Sequence, residues 1–308
     1  MKHGRVLVYA RIRPLASKEA KEGTVTTCDE FAATVTVQDK NDREARTFPC
    51  DGVFGVDATQ DQVFEQVGQP ILDSVLEGYN GCVLAYGQTG SGKTHTLLNP
   101  GETVSDSGLV PRLAASLFFH IGQDVYSVYT VRVSFVQIYN EQIDDLLKPA
   151  GANTNLKLKL SAAGAVEVEG ATSVRASSPA ALMQLFNNGR KNLVYAETRM
   201  NKASSRSHAV FQLVVDKRPR VLDGSGADGA GGAAAAEVET TQVTGKLTLV
   251  DLAGSERVKR SGADQDLSGV RFKEAVNINT SLLGLGSVMK ALGEKAKFVP
   301  FRDSKLTQ

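Results

Sequence analysis

The stretch GQTGSGKT at residues 87–94 decides the fold, because it fits the phosphate-binding P-loop pattern G-x-x-x-x-G-K-S/T in full. A short apolar run at residues 82–86 precedes it and predicts a strand, and the residues after it predict a helix. Glycines let backbone N–H groups converge on phosphate oxygens, and the helix adds the positive end of its dipole. The alternative is a glycine-rich structural turn, and the strand and helix on either side argue against it.

Two side chains of this loop carry the predicted chemistry. Lys93 is expected to reach the β- and γ-phosphates of a nucleoside triphosphate, and the Thr94 hydroxyl is expected to ligate Mg²⁺. By itself the motif predicts only that phosphates bind.

Hydrolysis needs further groups that sense the γ-phosphate and place a water in line with it. Asp251 ends a predicted strand and precedes LAGSE at residues 252–256, which suits a carboxylate near Mg²⁺ and a glycine N–H near the γ-phosphate. Residues 201–208, NKASSRSH, offer hydroxyls and an arginine. Taken singly, Asp251 is equally well a strand-end cap, and Ser204 and Ser205 are equally well part of a polar turn.

Predicted strands alternate with predicted helices along the chain, which indicates an α/β fold: a mixed, mostly parallel sheet with helices on both faces. The predicted strands are residues 6–10, 82–86, 128–136, 208–215 and 247–250, and the predicted helices are 60–76 with a bend at Pro70, 179–186 and 277–292. Residues 217–242 are rich in glycine and alanine, and this composition predicts a flexible surface loop.

Bulk composition limits the classes of protein that remain. The 308 residues are 42% hydrophobic with a net charge of +1, which argues for a sizeable core and against a nucleic-acid coat or a polybasic membrane protein. Three widely spaced cysteines and the absence of a signal-like start favour a reduced, cytoplasmic setting. Residues 255–308 hold ten Lys or Arg and six Asp or Glu, so this region is either a surface for an acidic partner or an ordinary solvated face.

Taken together, the motifs closely resemble the kinesin motor domain, in the family's order and over nearly the whole chain. The pairing of SSRSH with DLAGSE distinguishes kinesins from myosins, which share the P-loop logic. The matching segments are RIRP at 11–14, GYNG at 78–81, AYGQTGSGKT at 85–94, IYNE at 138–141, NKASSRSH at 201–208, VDLAGSE at 250–256, NIN at 277–279 and RDSKLT at 302–307. The resemblance implies a P-loop NTPase motor core that uses ATP and Mg²⁺ and binds microtubules.

The resemblance also assigns residues to the nucleotide. Arg11 and Pro14 would flank the adenine, with His95 stacking on it. Mg²⁺ would be held by Thr94, by Ser205 when the first switch closes, and by Asp251 through a water. The nucleotide-binding set is Arg11, Pro14, Gly87, Gln88, Thr89, Gly90, Ser91, Gly92, Lys93, Thr94 and His95.

For catalysis, the resemblance implies that Ser204 places the attacking water and that the Gly254 N–H senses the γ-phosphate. Arg206 and Glu256 would form an ion pair that closes the site, with Glu256 assisting proton removal. The implied catalytic set is Ser204, Ser205, Arg206, Gly254 and Glu256. Without the resemblance, His95 is an ordinary helix-surface histidine and the ion pair a weak surface pair.

The resemblance gives the basic region a partner, since tubulin is acidic. Binding is then expected to weaken with salt, although any single lysine could simply be solvated. The candidate microtubule contacts are Arg257, Lys259, Arg260, Arg271, Lys273, Lys290, Lys297, Arg302 and Lys305.

Four departures from the family pattern stand out. Leu193 and Thr280 replace a usual arginine and a usual lysine, Gly284 replaces a usual alanine, and residues 258–272 form a longer segment than is typical. The sequence stops inside the run that normally opens the next helix. We therefore expect a motor domain at 1–308 that lacks the last strand, the last helices and the neck linker, with dimerisation left to such absent segments.

The predicted function is a microtubule-stimulated motor ATPase on the cytoplasmic cytoskeleton. The alternative is a non-motile, nucleotide-binding microtubule-associated protein with weak turnover, which Leu193 and the early end of the sequence favour. An ordinary P-loop GTPase is remote, given the combined motifs. No direct membrane or nucleic-acid partner is expected.

Overall fold

A six-stranded sheet forms the centre of the fold, and the strand that precedes the P-loop stands at one end of its strand order. The computed structural model describes residues 5–17, 19–21, 24–38, 44–101, 103, 105–149, 151–152, 154–161, 164–199, 206–220, 242–256 and 270–308. Within these ranges, side chains are described except at 195–199 and 270–279.

The secondary structure alternates as the sequence predicts. The strands are β1 Tyr9–Arg11, β2 Thr26–Asp29, β3 Thr34–Val37, β4 Arg46–Pro49, β5 Gly52–Phe54, β6 Gly81–Ala85, β7 Ser127–Tyr139, β8 Gln142–Asp145, β9 Lys157–Leu160, β10 Val166–Glu169, β11 Val174–Ala176, β12 His208–Pro219 and β13 Val243–Asp251. The helices are α1 Gln60–Val63, α2 Gln69–Leu76, α3 Lys93–Leu97, α4 Leu109–Gln123, α5 Pro179–Arg199 and α6 Val270–Gly293. A π turn, Phe64–Gly68, joins α1 to α2, and 3₁₀ turns lie at Glu19–Lys21 and Phe301–Asp303.

The central sheet runs β11-β7-β12-β13-β6, with β8 also paired to β7. The α/β class and the mixed sheet are confirmed. The expected excess of parallel pairs is not found among the described strands, because β13–β6 is the parallel pair of this sheet and its other pairs are antiparallel. A helix between two strands in sequence indicates a parallel crossover only when those strands become neighbours. Here α5 follows β11 and leads to β12, yet both of these strands pair with β7.

Helices cover one face of the sheet, and a large hydrophobic core lies between them and the strands. Phe135 of β7 and Phe211 of β12 are fully buried and pack edge to face. Phe186 of α5 contacts both rings, with centroid distances of 6.1 and 5.4 Å. Gly189 lets α5 come this close, since a Cβ there would lie 2.3 Å from the Phe135 ring.

The second face carries a smaller cluster. Val136 and Ile138 are buried there, and Leu306 packs against them. His208 pairs with Ile138 in the strand register and contacts Ser281 of α6. Because side chains alternate between faces along β7, α6 covers the face opposite to α5. Helices on both faces are therefore confirmed.

Three details differ from the sequence-based expectation. The first strand begins at Tyr9, and Val6 and Val8 are 50% and 55% exposed rather than buried. The expected bend at Pro70 is replaced by the π turn just before it, since proline has no N–H to continue the regular ladder. Strand β12 extends through Pro219, and Lys217 pairs with Val243.

The expected flexible loop at 217–242 thus overlaps the ends of two paired strands. Its central part, residues 221–241, lies outside the described residues. Among the helices within the described ranges, none is long and apolar enough to span a membrane.

Candidate nucleotide site

The P-loop joins β6 to α3 through backbone conformations that favour glycine. Gly90 has φ +77° and Gly92 has φ +96°. A Cβ at either position would have no heavy atom within 4 Å, so conformation rather than space calls for glycine there. Left-handed backbone costs other residues about 1–2 kcal/mol. The sequence GSGK therefore selects the loop shape in which backbone N–H groups can face an anion.

The Lys93 ammonium lies inside the loop. Its Nζ donates hydrogen bonds to the carbonyl oxygens of Gly87 and Gln88, at 2.8 and 2.9 Å. Burial lowers the pKa of Lys93, and the charges of Asp251 and Glu256 oppose that change. A half-buried cation at the start of α3 is the arrangement that favours a bound phosphate.

Thr94 and Asp251 meet beside this lysine. The Thr94 hydroxyl donates to Asp251 Oδ2 at 2.5 Å. They meet because β13 and β6 are parallel neighbours, with Asp251 opposite Ala85, so both strands end at the same edge. Asp251 is only 8% exposed, and burial raises its pKa against the Thr94 hydrogen bond and the Lys93 charge.

The second oxygen of Asp251 points to a cation site. Asp251 Oδ1 is buried and has no hydrogen-bond partner within the described part of the chain. Buried polar atoms are nearly always satisfied, so this oxygen calls for a cation or a water. The described residues contain no group of three or more His, Cys, Asp or Glu that could hold a metal ion. One hydroxyl and one carboxylate fit Mg²⁺, which binds few protein ligands and keeps waters and phosphate oxygens.

Residues 252–256 fold back onto the P-loop. Glu256 accepts hydrogen bonds from the Thr89 N–H at 2.9 Å and from the Thr89 hydroxyl at 2.5 Å, and the Ser255 N–H donates to the Gly87 carbonyl at 3.2 Å. Burial would raise the pKa of Glu256, but these hydrogen bonds and the Lys93 charge outweigh it, so the pKa is lowered.

Gly254 permits this close approach of the two loops. A Cβ at Gly254 would lie 2.4 Å from both Thr89 Oγ1 and Glu256 Oε2. The described contacts of Glu256 are with Thr89, so its ion pair with Arg206 stays a prediction.

Arg11 and His95, two of the predicted adenine contacts, lie close together around Gln60. Arg11 Nη1 donates to Gln60 Oε1 at 2.8 Å and to Thr96 Oγ1 at 2.9 Å, and Gln60 Nε2 donates to the His95 carbonyl at 2.8 Å. Burial and the Arg11 charge lower the pKa of His95. Both effects favour the neutral form of its ring.

Gln60 is a site residue that sequence reasoning missed. It is 5% exposed and joins residues 49 and 35 positions away, so nothing in the local sequence around it signals the contact. Pro14 is exposed, and its carbonyl accepts a hydrogen bond from Arg13 Nη1 at 2.8 Å.

Several predicted residues cannot be placed in the site. Ser204 and Ser205 lie outside the described residues, as do Arg257, Lys259 and Arg260. Arg271 and Lys273 belong to α6, within the part whose side chains are not described. Arg206 lies just before β12 and is half-buried.

The described microtubule candidates lie on α6 and the segment after it. Lys290, Lys297 and Arg302 are exposed. Lys305 is half-buried, and its N–H donates to Glu141 Oε2 at 2.9 Å. These residues belong to two elements that touch, since a Cβ on Gly284 of α6 would lie 3.5 Å from Ser304 Oγ.

The fold and this site define a P-loop nucleotide-binding protein with a second loop closing on the phosphate site. A family profile described as the kinesin motor domain matches residues 11–308. The chain therefore belongs to the kinesin motor family, whose motor domains are microtubule-based ATPases.

Individual relatives agree with this assignment. The chain is 40% identical over 307 residues to a kinesin heavy chain of Caenorhabditis elegans, covering 98% of this chain and 34% of the relative. It is 38% identical over 308 residues to the kinesin-like protein KIN-14F of Oryza sativa subsp. japonica, covering 99% and 28%. The chain thus spans about a third of the length of these relatives.

The fold also matches a solved structure of a fast kinesin, described for its ATPase mechanism and its interactions with microtubules. The TM-score is 0.83 at 34% sequence identity, with 99% of this chain and 80% of that chain covered.

Proposed function

We propose that this chain binds ATP with Mg²⁺ and hydrolyses it in a cycle that alters its affinity for microtubules. The observation that carries the proposal is the unpartnered, buried Asp251 Oδ1 next to the Thr94 hydroxyl and Lys93. These are the groups that a P-loop enzyme directs at a magnesium-bound triphosphate. Membership of the kinesin motor family supports microtubules as the partner.

In the proposed ground state, Lys93 exchanges its two loop carbonyls for phosphate oxygens. Thr94 and Ser205 would hold Mg²⁺, and Asp251 would hold it through a water. Mg²⁺ supplies charge neutralisation at the phosphates. Arg11, Pro14 and His95 bind the base, and the buried Gln60 fixes the positions of Arg11 and His95.

We further propose that Glu256 has two positions. With Thr89 as its partner, Glu256 lies against the P-loop. In the closed state it would pair with Arg206, while Ser204 places the attacking water and the Gly254 N–H reports the γ-phosphate. An equilibrium between two such positions, biased by one phosphate group, is how nucleotide switches work.

The microtubule surface is proposed to include α6 and the segment that follows it. The exposed Lys290, Lys297 and Arg302 support this. Tubulin is acidic, so the interaction is expected to weaken as salt increases. Partnership with microtubules places the chain on the cytoskeleton.

The experiment that tests the proposal is ATP turnover of the purified protein with and without microtubules. We expect Mg²⁺-dependent turnover that microtubules stimulate and that Lys93→Ala lowers at least about a hundredfold, as removal of a key charge stabiliser does. The matched control is Lys159→Ala, which removes an exposed lysine on β9 far along the chain from the P-loop. Turnover that Lys93→Ala leaves intact would refute the proposal.

The second candidate is a non-motile microtubule binder with weak turnover. Leu193 favours it, because this side chain packs against the hydrophobic core where the family usually has a cation. Salt-sensitive microtubule binding without stimulated turnover would select this candidate. A preference for GTP over ATP in the same assay would instead indicate an ordinary P-loop GTPase.

A further inference from the structure

His208 joins two segments of the molecule that are distant in sequence. Its Nδ1 accepts a hydrogen bond from the Ala253 N–H at 3.0 Å, and its Nε2 lies 2.8 Å from Ser281 Oγ. The ring is 3% exposed and sits at the start of β12. Ala253 belongs to the loop that closes on the P-loop, whereas Ser281 belongs to α6.

The direction of both hydrogen bonds follows from chemistry. A backbone N–H can only donate, so Nδ1 must present a lone pair to Ala253. The neutral ring then carries its proton on Nε2 and donates it to Ser281 Oγ. Burial and the positive charge of Lys93 lower the pKa of His208 to about 4, so the neutral ring persists at physiological pH.

The position of Ala253 makes this connection sensitive to the nucleotide site. Ala253 is fully buried and adjoins Gly254, which lies in close contact with Thr89 of the P-loop. A displacement of Gly254 toward or away from a γ-phosphate can move the Ala253 N–H, because only the two backbone dihedrals of Ala253 separate them. The rigid imidazole then either follows, pulling on Ser281, or loses one of its two hydrogen bonds.

We infer that His208 is the positioning residue that transmits the state of the loop 251–256 to α6. The inference rests on the proposed function, since it names the contact through which that nucleotide switch reaches the microtubule surface. Both hydrogen bonds are buried, so leaving either of them unmade is costly, as transmission between two discrete states requires.

The test measures microtubule affinity of the purified protein in ADP and in a non-hydrolysable ATP analogue. We define the coupling as the ratio of the two dissociation constants. Ser281→Ala removes the acceptor on α6 and keeps the Ala253 bond, and we expect it to lower the coupling by at least about fivefold, within the usual range of coupling free energies. Ser177→Ala is the matched control, since Ser177 is exposed just before α5 and lies outside the proposed microtubule surface, and it should preserve the coupling.

His208→Asn is a second, independent variant. Its amide oxygen can still accept from Ala253 but its side chain is too short to reach Ser281, so it should reproduce the loss of coupling. Hydrogen exchange at the Ala253 N–H is a further measurement. Its response to microtubules would not depend on His208 if His208 had only a structural role. Exchange there should respond to microtubule binding in the unmodified protein and in Ser177→Ala, but not in Ser281→Ala or His208→Asn.

The outcomes separate this inference from the proposed function. Normal coupling in a folded Ser281→Ala or His208→Asn protein would overturn the role of His208 and leave the motor function standing. Should the unmodified protein bind microtubules equally in both nucleotide states, the proposed function itself fails, and the inference falls with it.

Discussion

The P-loop and α6 both contain glycines, and the two regions use them differently. Gly90 and Gly92 hold positive φ angles that the loop needs in order to face an anion. Gly284 and Gly286 of α6 lie in a helix, and neither is among the residues with positive φ. At Gly284 an added Cβ would make ordinary contacts no closer than 3.5 Å, and at Gly286 it would have no neighbour within 4 Å.

In the P-loop, glycine is required by the backbone conformation, whereas in α6 glycine affects how stiff the helix is. The loop must have one conformation, so its glycines cannot be replaced without strain. The helix would accept alanine, so its glycines keep it less stable than its surroundings permit. The softer element is the one that we propose moves with nucleotide state, and the rigid element is the one that holds the phosphates.

The largest expected effect comes from a substitution in the rigid P-loop. Gly92→Ala forces an alanine into φ +96°, and we expect a cost of about 1–2 kcal/mol because space is available but the conformation is disfavoured. If the loop keeps its shape, thermal unfolding records the cost. If the loop relaxes instead, nucleotide affinity falls, by about tenfold for each 1.4 kcal/mol.

Measuring thermal stability and nucleotide affinity on one preparation accounts for the whole cost of the substitution. Gly122→Ala on α4 is the control, since that glycine has free space around an added Cβ and no positive φ. Unchanged stability together with unchanged nucleotide affinity in Gly92→Ala would show that the left-handed conformation is not required.

A second effect concerns the buried carboxylate of the phosphate site. The pKa of Asp251 is raised from 3.8, chiefly by burial, so its ionised form is disfavoured in the folded state. Protonation of Asp251 therefore stabilises the folded state. This contribution to the free energy of unfolding is fully present below pH 3.8 and is lost as pH rises through the raised pKa. Asp251→Asn removes the penalty, so without nucleotide and Mg²⁺ it should raise the free energy of unfolding at pH 8 by about 0.5–2 kcal/mol.

The sign of this effect distinguishes a functional carboxylate from a structural one. The gain in stability should shrink as pH is lowered toward 4, and Mg²⁺-dependent nucleotide binding should weaken in the same variant. Thermal unfolding at several pH values, with exposed Asp57→Asn as control, measures it. A loss of stability at pH 8 would mean that the charge of Asp251 is well compensated within the fold.

The sequence predicted what depends on contiguous residues. Residues 87–94 form the loop that their pattern requires, and Asp251 meets Thr94 because two predicted strands end at the same edge. Other contacts between distant segments could not be predicted from a local pattern. The His208–Ser281 pair spans 73 positions and the Glu256–Thr89 pair spans 167, and neither has a local pattern.

Strand direction was also beyond the sequence pattern. The alternation of strands and helices indicated parallel neighbours, yet β7, β12 and β13 lie antiparallel beside one another. Alternation reports which elements exist, whereas pairing depends on which hydrophobic faces find each other in the folded chain.

The smallest expected effect comes from substitutions in the less stable helix α6. Gly284→Ala should stabilise the protein by about 0.5–1 kcal/mol, because alanine is the better helix former and its Cβ would contact Ser304 without crowding. Gly286→Ala lacks that contact, so its gain should come from helix propensity alone and be no larger. Thermal unfolding of both variants ranks them, and microtubule-stimulated turnover shows whether stiffness has a functional cost. A destabilised Gly284→Ala would contradict the packing of α6 on the segment around Ser304. Equal stabilisation in both, with reduced stimulation, would instead locate the cost in the flexibility of the helix.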